Sequence, residues 1–401
     1  MRARNPKRHS PEVDRLVGLC LALYASGSRV EDRFWENQID QLLDSALQAG
    51  RQTNLDAALD ELQKHHPQVY GTLADLTETR SESFVVSDRD GAQWDVLLVA
   101  APVLAWTRYL IPSGRLRGEV PVALRTQLDA HVFASNTRSA LAPFLYSIDQ
   151  LPRHHAETYQ FAQKMAQAAL QGSTPRLGSE TLEETSAILA DPRFLLAAVA
   201  APLGQPLFRW QEESGDPRQG RRRCLDDWAK QGGNTLNALF AGCEIECLLP
   251  DAFHAACREA DEKIRPHSVR TAVTYLCDTL KTEAGALRAV IGGFGEQRID
   301  EYRIGFTRRG SNDVLYGVVW PLYGRESGEM GDELQGDAAA PLDEIIALLR
   351  DAGITDIRRH AGRYEPEFCE DCGTPLYLDP TGEIVHAEMP EDAEPARPQF
   401  H

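Results

Sequence analysis

Two cysteines separated by two residues, Cys369-Glu370-Asp371-Cys372, stand directly before Gly373 near the end of a 401-residue chain. Thiolates at that spacing can bind one metal ion from a single tight turn. A glycine immediately afterwards permits the positive φ such a turn needs. The pattern is half of a zinc ribbon, because no second Cys-x-x-Cys follows. His386, reached after the strand-like Glu383–Val385, is the third ligand of the set Cys369, Cys372 and His386. A closed structural zinc site is expected, completed by His360, His401 or a carboxylate. A metal-free turn and an oxidisable thiol pair are the alternatives. The redox reading is the weaker, since thioredoxin-type pairs open a helix and Gly373 with Pro375 disfavours one.

Other reactive side chains form weaker patterns. Cys243, Cys247 and Cys257, with His254 nearby, could be assembled into a thiol site. Cysteine is also a common small core residue, and packing is the preferred reading. His154-His155 with Glu157 supplies a base and an orienting carboxylate at a helix start. Adjacent helical residues diverge by about 100°, however, so surface positions are expected. Gly292-Gly293-Phe294-Gly295 lacks the G-x-G-x-x-G spacing and reads as a hairpin turn. Arg218, Arg221, Arg222 and Arg223 read as a solvated loop rather than a phosphate clamp. No Walker loop, nucleophile elbow or His-Glu-x-x-His motif occurs, so no catalytic residue is assigned.

Composition narrows the classes further. The net charge of −18 argues against a nucleic-acid binder, which needs clustered Lys and Arg. The longest apolar runs, Val96–Trp106 and Phe194–Gly204, are strand-length, so no membrane span is expected. Leu16–Ala25 follows basic residues like a signal peptide, but Glu12 and Asp14 precede it, and a core helix is the better reading. Eight scattered cysteines fit reduced thiols in a cytoplasm.

The elements that must position these residues are those of an α/β (α+β) chain. Residues 1–80 read as helices, broken at Ser26-Gly27-Ser28 and Gly50, with Asn54 capping a third helix and Pro67 opening a fourth. Phe34, Trp35, Ile39, Leu42, Leu43 and Ala46 mark the apolar face of the second. Strands start near Ser83, where Asp90-Gly91 marks a hairpin. A first α/β lobe spans 81–178 and a second 179–285. Val-Ala-Ala-Pro at 99–102 recurs at 199–202, Ser113-Gly114 recurs as Ser214-Gly215, and Leu151-Pro152 as Leu249-Pro250. These offsets point to a tandem duplication of about one hundred residues, with Pro102 equivalent to Pro202 and Pro152 to Pro250. Residues 286–365 form a mainly antiparallel sheet with one helix, interrupted by an acidic mobile loop at Glu326–Ala339. A Cys-x-x-Cys module covers 366–388, and 389–401 reads as a disordered tail.

The phrases Asp14-Arg15-Leu16-Val17 and Ala25-Ser26-Gly27-Ser28-Arg29-Val30-Glu31-Asp32-Arg33-Phe34-Trp35-Glu36 resemble an uncharacterised bacterial family. It is known only as a domain of unknown function, family 2863. Cys-x-x-Cys-Gly with the later His386-Ala387-Glu388-Met389-Pro390-Glu391 is similar to that family's other end. The resemblance implies a bacterial cytoplasmic protein and carries over no activity or catalytic residue. The leading expectation is a ligand- or protein-binding regulatory protein with a structural zinc module. Its partner is an unknown protein or small molecule, with no nucleic acid and no membrane. The alternative is a hydrolase or transferase with its site between the two lobes.

Overall fold

Local chemistry sets the boundaries of the first four helices. The computed structural model describes residues 10–177, 189–212, 215–296, 298–322 and 341–390. Helix α1 (Pro11–Tyr24) starts where Ser10 Oγ accepts the Val13 N–H, and α2 (Arg29–Gln48) where Ser28 Oγ accepts that of Glu31. Helices α3 (Gln52–His65) and α4 (Pro67–Glu82) follow, with Pro67 in the first turn as expected. Asn54 is not the cap of α3. It lies inside the helix, and its amide donates to Glu12 at 2.8 Å. Ile39, Leu43, Ala46 and Leu47 carry the core face of α2, whereas Phe34 is 55% exposed near its N-terminus.

Strands β1 (Ser83–Ser87) and β2 (Gln93–Trp106) form the expected hairpin, with Gly91 at φ +82° in its turn. After β2 come β3 (Gly114–Arg115), α5 (Val120–His131), β4 (Arg138–Leu141), β5 (Phe144–Ser147) and α6 (His155–Gln171). Then follow β6 (Ala190–Pro202), α7 (Arg209–Glu212), α8 (Pro217–Leu239), β7 (Glu244–Cys247), β8 (Asp251–Ala252) and the long α9 (Phe253–Leu280). These strands build one eight-stranded sheet, in which β2 and β6 pair antiparallel from Trp94 opposite Pro202 to Trp106 opposite Ala190.

The two stretches read as lobes therefore interlock. Strands β4 and β5 of the first pair with β6 of the second, and β7 and β8 of the second pair with β2 of the first. Shared strands make the two stretches one sheet rather than two facing lobes. Pro102 lies inside β2 opposite Phe194, while Pro202 ends β6 opposite Trp94. Leu151-Pro152 and Leu249-Pro250 each stand three residues before a helix, α6 and α9, and Leu249-Pro250 also separates β7 from β8.

Alternation along β2 and β6 fills both faces of the sheet. Val96, Leu98, Phe194 and Leu196 pack with the N-terminal helices, α6 and the start of α9. Val99, Val103, Leu195 and Val199 pack with α5 and α8. Helix α9 then crosses to a second core. Phe253, Ala256 and Ile264 belong to the first, and Val269, Val273 and Leu276 to the next. Its 28 residues span about 42 Å at 1.5 Å per residue.

The second sheet runs β11-β10-β9-β12, comprising β9 (Leu287–Phe294), β10 (Glu301–Arg308), β11 (Tyr316–Pro321) and β12 (Asp356–Tyr364). The first three are antiparallel as expected. Strand β12 lies parallel to β9, which the connection through α10 (Pro341–Asp351) makes possible. One face packs on α9 and α10, and the other receives β13 (Tyr377–Leu378) and β14 (Ile384–Val385). Glu326–Ala339, Ser214 and the tail beyond Pro390, with His401, lie outside the described residues. The start of that tail is docked, for Met389 packs on the second core and the Glu388 N–H reaches Val314 O at 2.9 Å.

Glycines open the sheet face that takes β13. A Cβ on Gly317 would lie 2.1 Å from the Tyr377 ring, and one on Gly292 would lie 2.2 Å from Leu378. Gly292 and Gly293 are thus strand residues that make room for side chains, not a hairpin turn. Beneath β13, the buried Arg303 donates to Glu367 O at 2.6 Å, Leu376 O at 2.7 Å and the Glu301 carboxylate at 2.6 Å. Its guanidinium also lies over the Phe294 and Phe368 rings. We predict that Arg303→Met costs about 3 kcal/mol in urea unfolding, because two carbonyls and a carboxylate lose their donor. A loss within experimental error would show that the guanidinium does not hold the module.

Candidate metal centre

The turn that presents the cysteines is closed by its own backbone. The Cys369 N–H donates to Thr374 O at 2.8 Å, and that of Gly373 to Cys369 O at 2.9 Å. Gly373 takes φ +70°, the conformation expected of a residue after the second cysteine. A bridge between Phe368 and Pro375 and the Leu376 N–H bond to Glu367 O tie the ends of the turn together. Pairing of Tyr377 with Val385 and Leu378 with Ile384 returns the chain, so that His386 arrives beside the cysteines. The Asp379 carboxylate shapes the hairpin tip by accepting the N–H groups of Thr381, Gly382 and Glu383.

Cys369, Cys372 and His386 bring their ligand atoms within 4.8 Å of one another, a set that could hold a metal ion. Cys372 Sγ lies 3.2 Å from His386 Nε2 and 2.9 Å from Thr374 Oγ1. The Thr374 hydroxyl bond, then its backbone, His386 and Cys369, pull the exposed Cys372 thiol down to about 6, which favours the thiolate a metal requires. On the other side of the ring, His386 Nδ1 faces the Glu388 carboxylate at 3.4 Å. The contact is a proximity and not a hydrogen bond, for Nδ1 has no hydrogen-bond partner among the described residues. His360 does not join the set. Its Nε2 lies 3.1 Å from Asp379 O, on the far side of the hairpin tip.

A second polar cluster joins residues that sequence spacing keeps apart. His155, at the start of α6, and His254, at the start of α9, stand with ring centroids 5.6 Å apart. His254 Nε2 lies 2.9 Å from Ser81 Oγ, and its backbone N–H donates to Glu82 Oε2 at 2.8 Å. Ser81 is fully buried, and its hydroxyl also lies within hydrogen-bond distance of Glu78 O at 2.7 Å, where it can only donate. Burial pushes His254 down to about 3 and Glu82 up to about 7, and raises the Cys257 thiol. Those groups sit at the junction of α4, α6 and α9. Chain order hid the cluster, since His155 stands about one hundred residues before His254.

Cys243, Cys247 and Cys257 form no ligand set with His254 among the described residues. Burial raises all three thiols, consistent with packing. Glu157 accepts the Arg153 N–H at 3.0 Å, a local contact before α6. The arginine run is not a loop but the opening of α8, where Arg221 pairs with Asp251 and lies over the Trp210 ring.

Fold and ligand set together define an α+β protein with a C-terminal Cys-Cys-His cluster. The chain belongs to the family described as "Protein of unknown function (DUF2863)", whose model matches residues 1–400. No curated protein and no solved structure matches it. No helix among the described residues is long and apolar enough to cross a membrane.

The raised Glu82 carboxyl gives a pH-dependent expectation. A folded value above the unfolded one means that its contribution to stability is full below about pH 4 and is lost as pH rises through about 7. Glu82→Gln keeps an acceptor for the His254 N–H without the charge. The substitution is expected to stabilise the protein by about 1–3 kcal/mol at pH 8 and to have no benefit at pH 4, read from urea midpoints. Equal effects at both pH values would contradict the buried-charge account.

Proposed function

We propose that this is a cytoplasmic ligand- or protein-binding protein of regulatory type, whose C-terminal module is folded around one structural zinc ion. The observation that carries the metal assignment is the convergence of Cys369, Cys372 and His386 within 4.8 Å on a turn and a hairpin. Two thiolates and an imidazole are soft and borderline donors that zinc prefers. The module is too small to hold itself by apolar burial. Its buried residues are Tyr377, Leu378 and Asp379, with Pro380. Ion binding would supply folding free energy where the apolar core is thin.

The rest of the chain serves as a scaffold in this reading. The interlocked sheet and long α9 hold the second sheet, and the second sheet holds the module. An enzyme with its site between two lobes is the reading that the shared sheet supports least. Elemental analysis of the purified protein is expected to give about one zinc per chain. Cys369→Ser with Cys372→Ser should abolish it and lower the melting temperature of the module while leaving the two sheets folded. Metal-free protein purified without chelators would sink the assignment.

A further inference from the structure

The structure supplies a fourth polar atom at the cluster, and it belongs to none of the residues that sequence spacing nominated. Thr374 Oγ1 lies 2.9 Å from Cys372 Sγ and 3.0 Å from His386 Nε2, while those two ligand atoms are 3.2 Å apart. Metal–ligand bonds of 2.0–2.3 Å place neighbouring donors of a tetrahedral zinc shell about 3.3–3.8 Å apart. The hydroxyl, thiolate and imidazole form one such face, contracted by a few tenths of an ångström into mutual hydrogen bonds. The turn itself fixes Thr374 there, since its carbonyl accepts the Cys369 N–H at 2.8 Å.

We infer that Thr374 occupies the fourth vertex of the metal shell as a weak, displaceable donor, and that a neutral nitrogen or oxygen ligand from outside the chain can take its place. The inference rests on the metal assignment above and deepens it. The centre is structural in what it folds and open in what it binds. An alcohol oxygen is a poorer zinc ligand than thiolate or imidazole, so this vertex is the one that exchanges. Solvent reaches it, because Cys372 and Thr374 are both exposed. Neither nearby alternative is aimed at it: His360 contacts Asp379 O, and Glu388 faces the opposite nitrogen of His386.

Charge selects the class of incoming ligand. Two thiolates and a neutral imidazole balance a divalent ion, leaving a neutral centre. Exposed Glu370 and Asp371 lie within the turn and Glu388 lies behind the ring, so the local field is negative. An anion is disfavoured there, whereas an imidazole or an amide carbonyl, as a partner protein's side chain or backbone would present, is not.

The test uses full-length protein loaded with cobalt(II), whose thiolate charge-transfer and ligand-field bands report the shell, with imidazole as the probe. Imidazole is expected to shift the ligand-field bands saturably while the charge-transfer bands persist. Thr374→Val should keep the charge-transfer bands, weaken cobalt binding on the order of tenfold, and bind imidazole more tightly. Alanine at Glu391, Asp392, Glu394 and His401 should leave the spectrum unchanged. Ligand-field bands indifferent to imidazole, or altered by those alanine changes, would overturn the open vertex. Absence of thiolate charge-transfer bands altogether would instead overturn the metal assignment on which it rests.

Discussion

A buried guanidinium under the cysteine turn is the contact on which the C-terminal module depends. Arg303 has no exposed side-chain surface, yet it reaches from β10 to the carbonyls of Glu367 and Leu376 on either side of the turn. A buried cation is costly unless its donors are met and an anion lies close. Glu301 accepts from Nε and the two carbonyls from Nη1. Nη2 has no hydrogen-bond partner among the described residues, and the Phe294 and Phe368 rings lie within 5.0 Å of the guanidinium. The arrangement is specific rather than merely adhesive. Only a chain that offers two carbonyls at this spacing fits over Arg303, so the turn is seated in one register.

Everything upstream serves to make that seat rigid. The first sheet is tied by the antiparallel run of β2 with β6, and its two halves exchange short strands. Helix α9 leaves its core, continues past Pro266 and becomes part of the core beneath β9–β11. On the outer face, Gly292, Gly305 and Gly317 lower the sheet surface so that Tyr377 and Leu378 can lie against backbone. A side chain at any of these positions would lift the hairpin that delivers His386.

Much of this was legible in the sequence because the signals are local. Ser26-Gly27-Ser28 broke one helix from the next, Pro67 opened another, Asp90-Gly91 turned a hairpin, and alternation marked β9–β11. Cys369, Cys372 and His386 came together because a turn and a two-strand hairpin are short-range structures. What failed was non-local. The Leu-Pro and Val-Ala-Ala-Pro repeats carry no signal that β6 pairs beside β2 or that the short strands cross over. Gly292-Gly293 looked like a turn because the residues filling their space, Leu378 and Ile299, lie elsewhere in the chain. Arg303 carried no signal at all. Its partners are backbone carbonyls more than sixty residues away.

The central claim is that metal ligation and the Arg303 seat act together on one small module, without which the two sheets still stand. Amide hydrogen exchange on the full chain, with and without a strong chelator, tests it most directly. The account predicts that chelation lowers protection at Cys369, Gly373, Leu376 and Asp379, whose N–H groups close the turn and hairpin. Amides of β2, β6, β9 and β10 should keep theirs. Unchanged protection in the turn, or its loss across both sheets at once, would contradict the account.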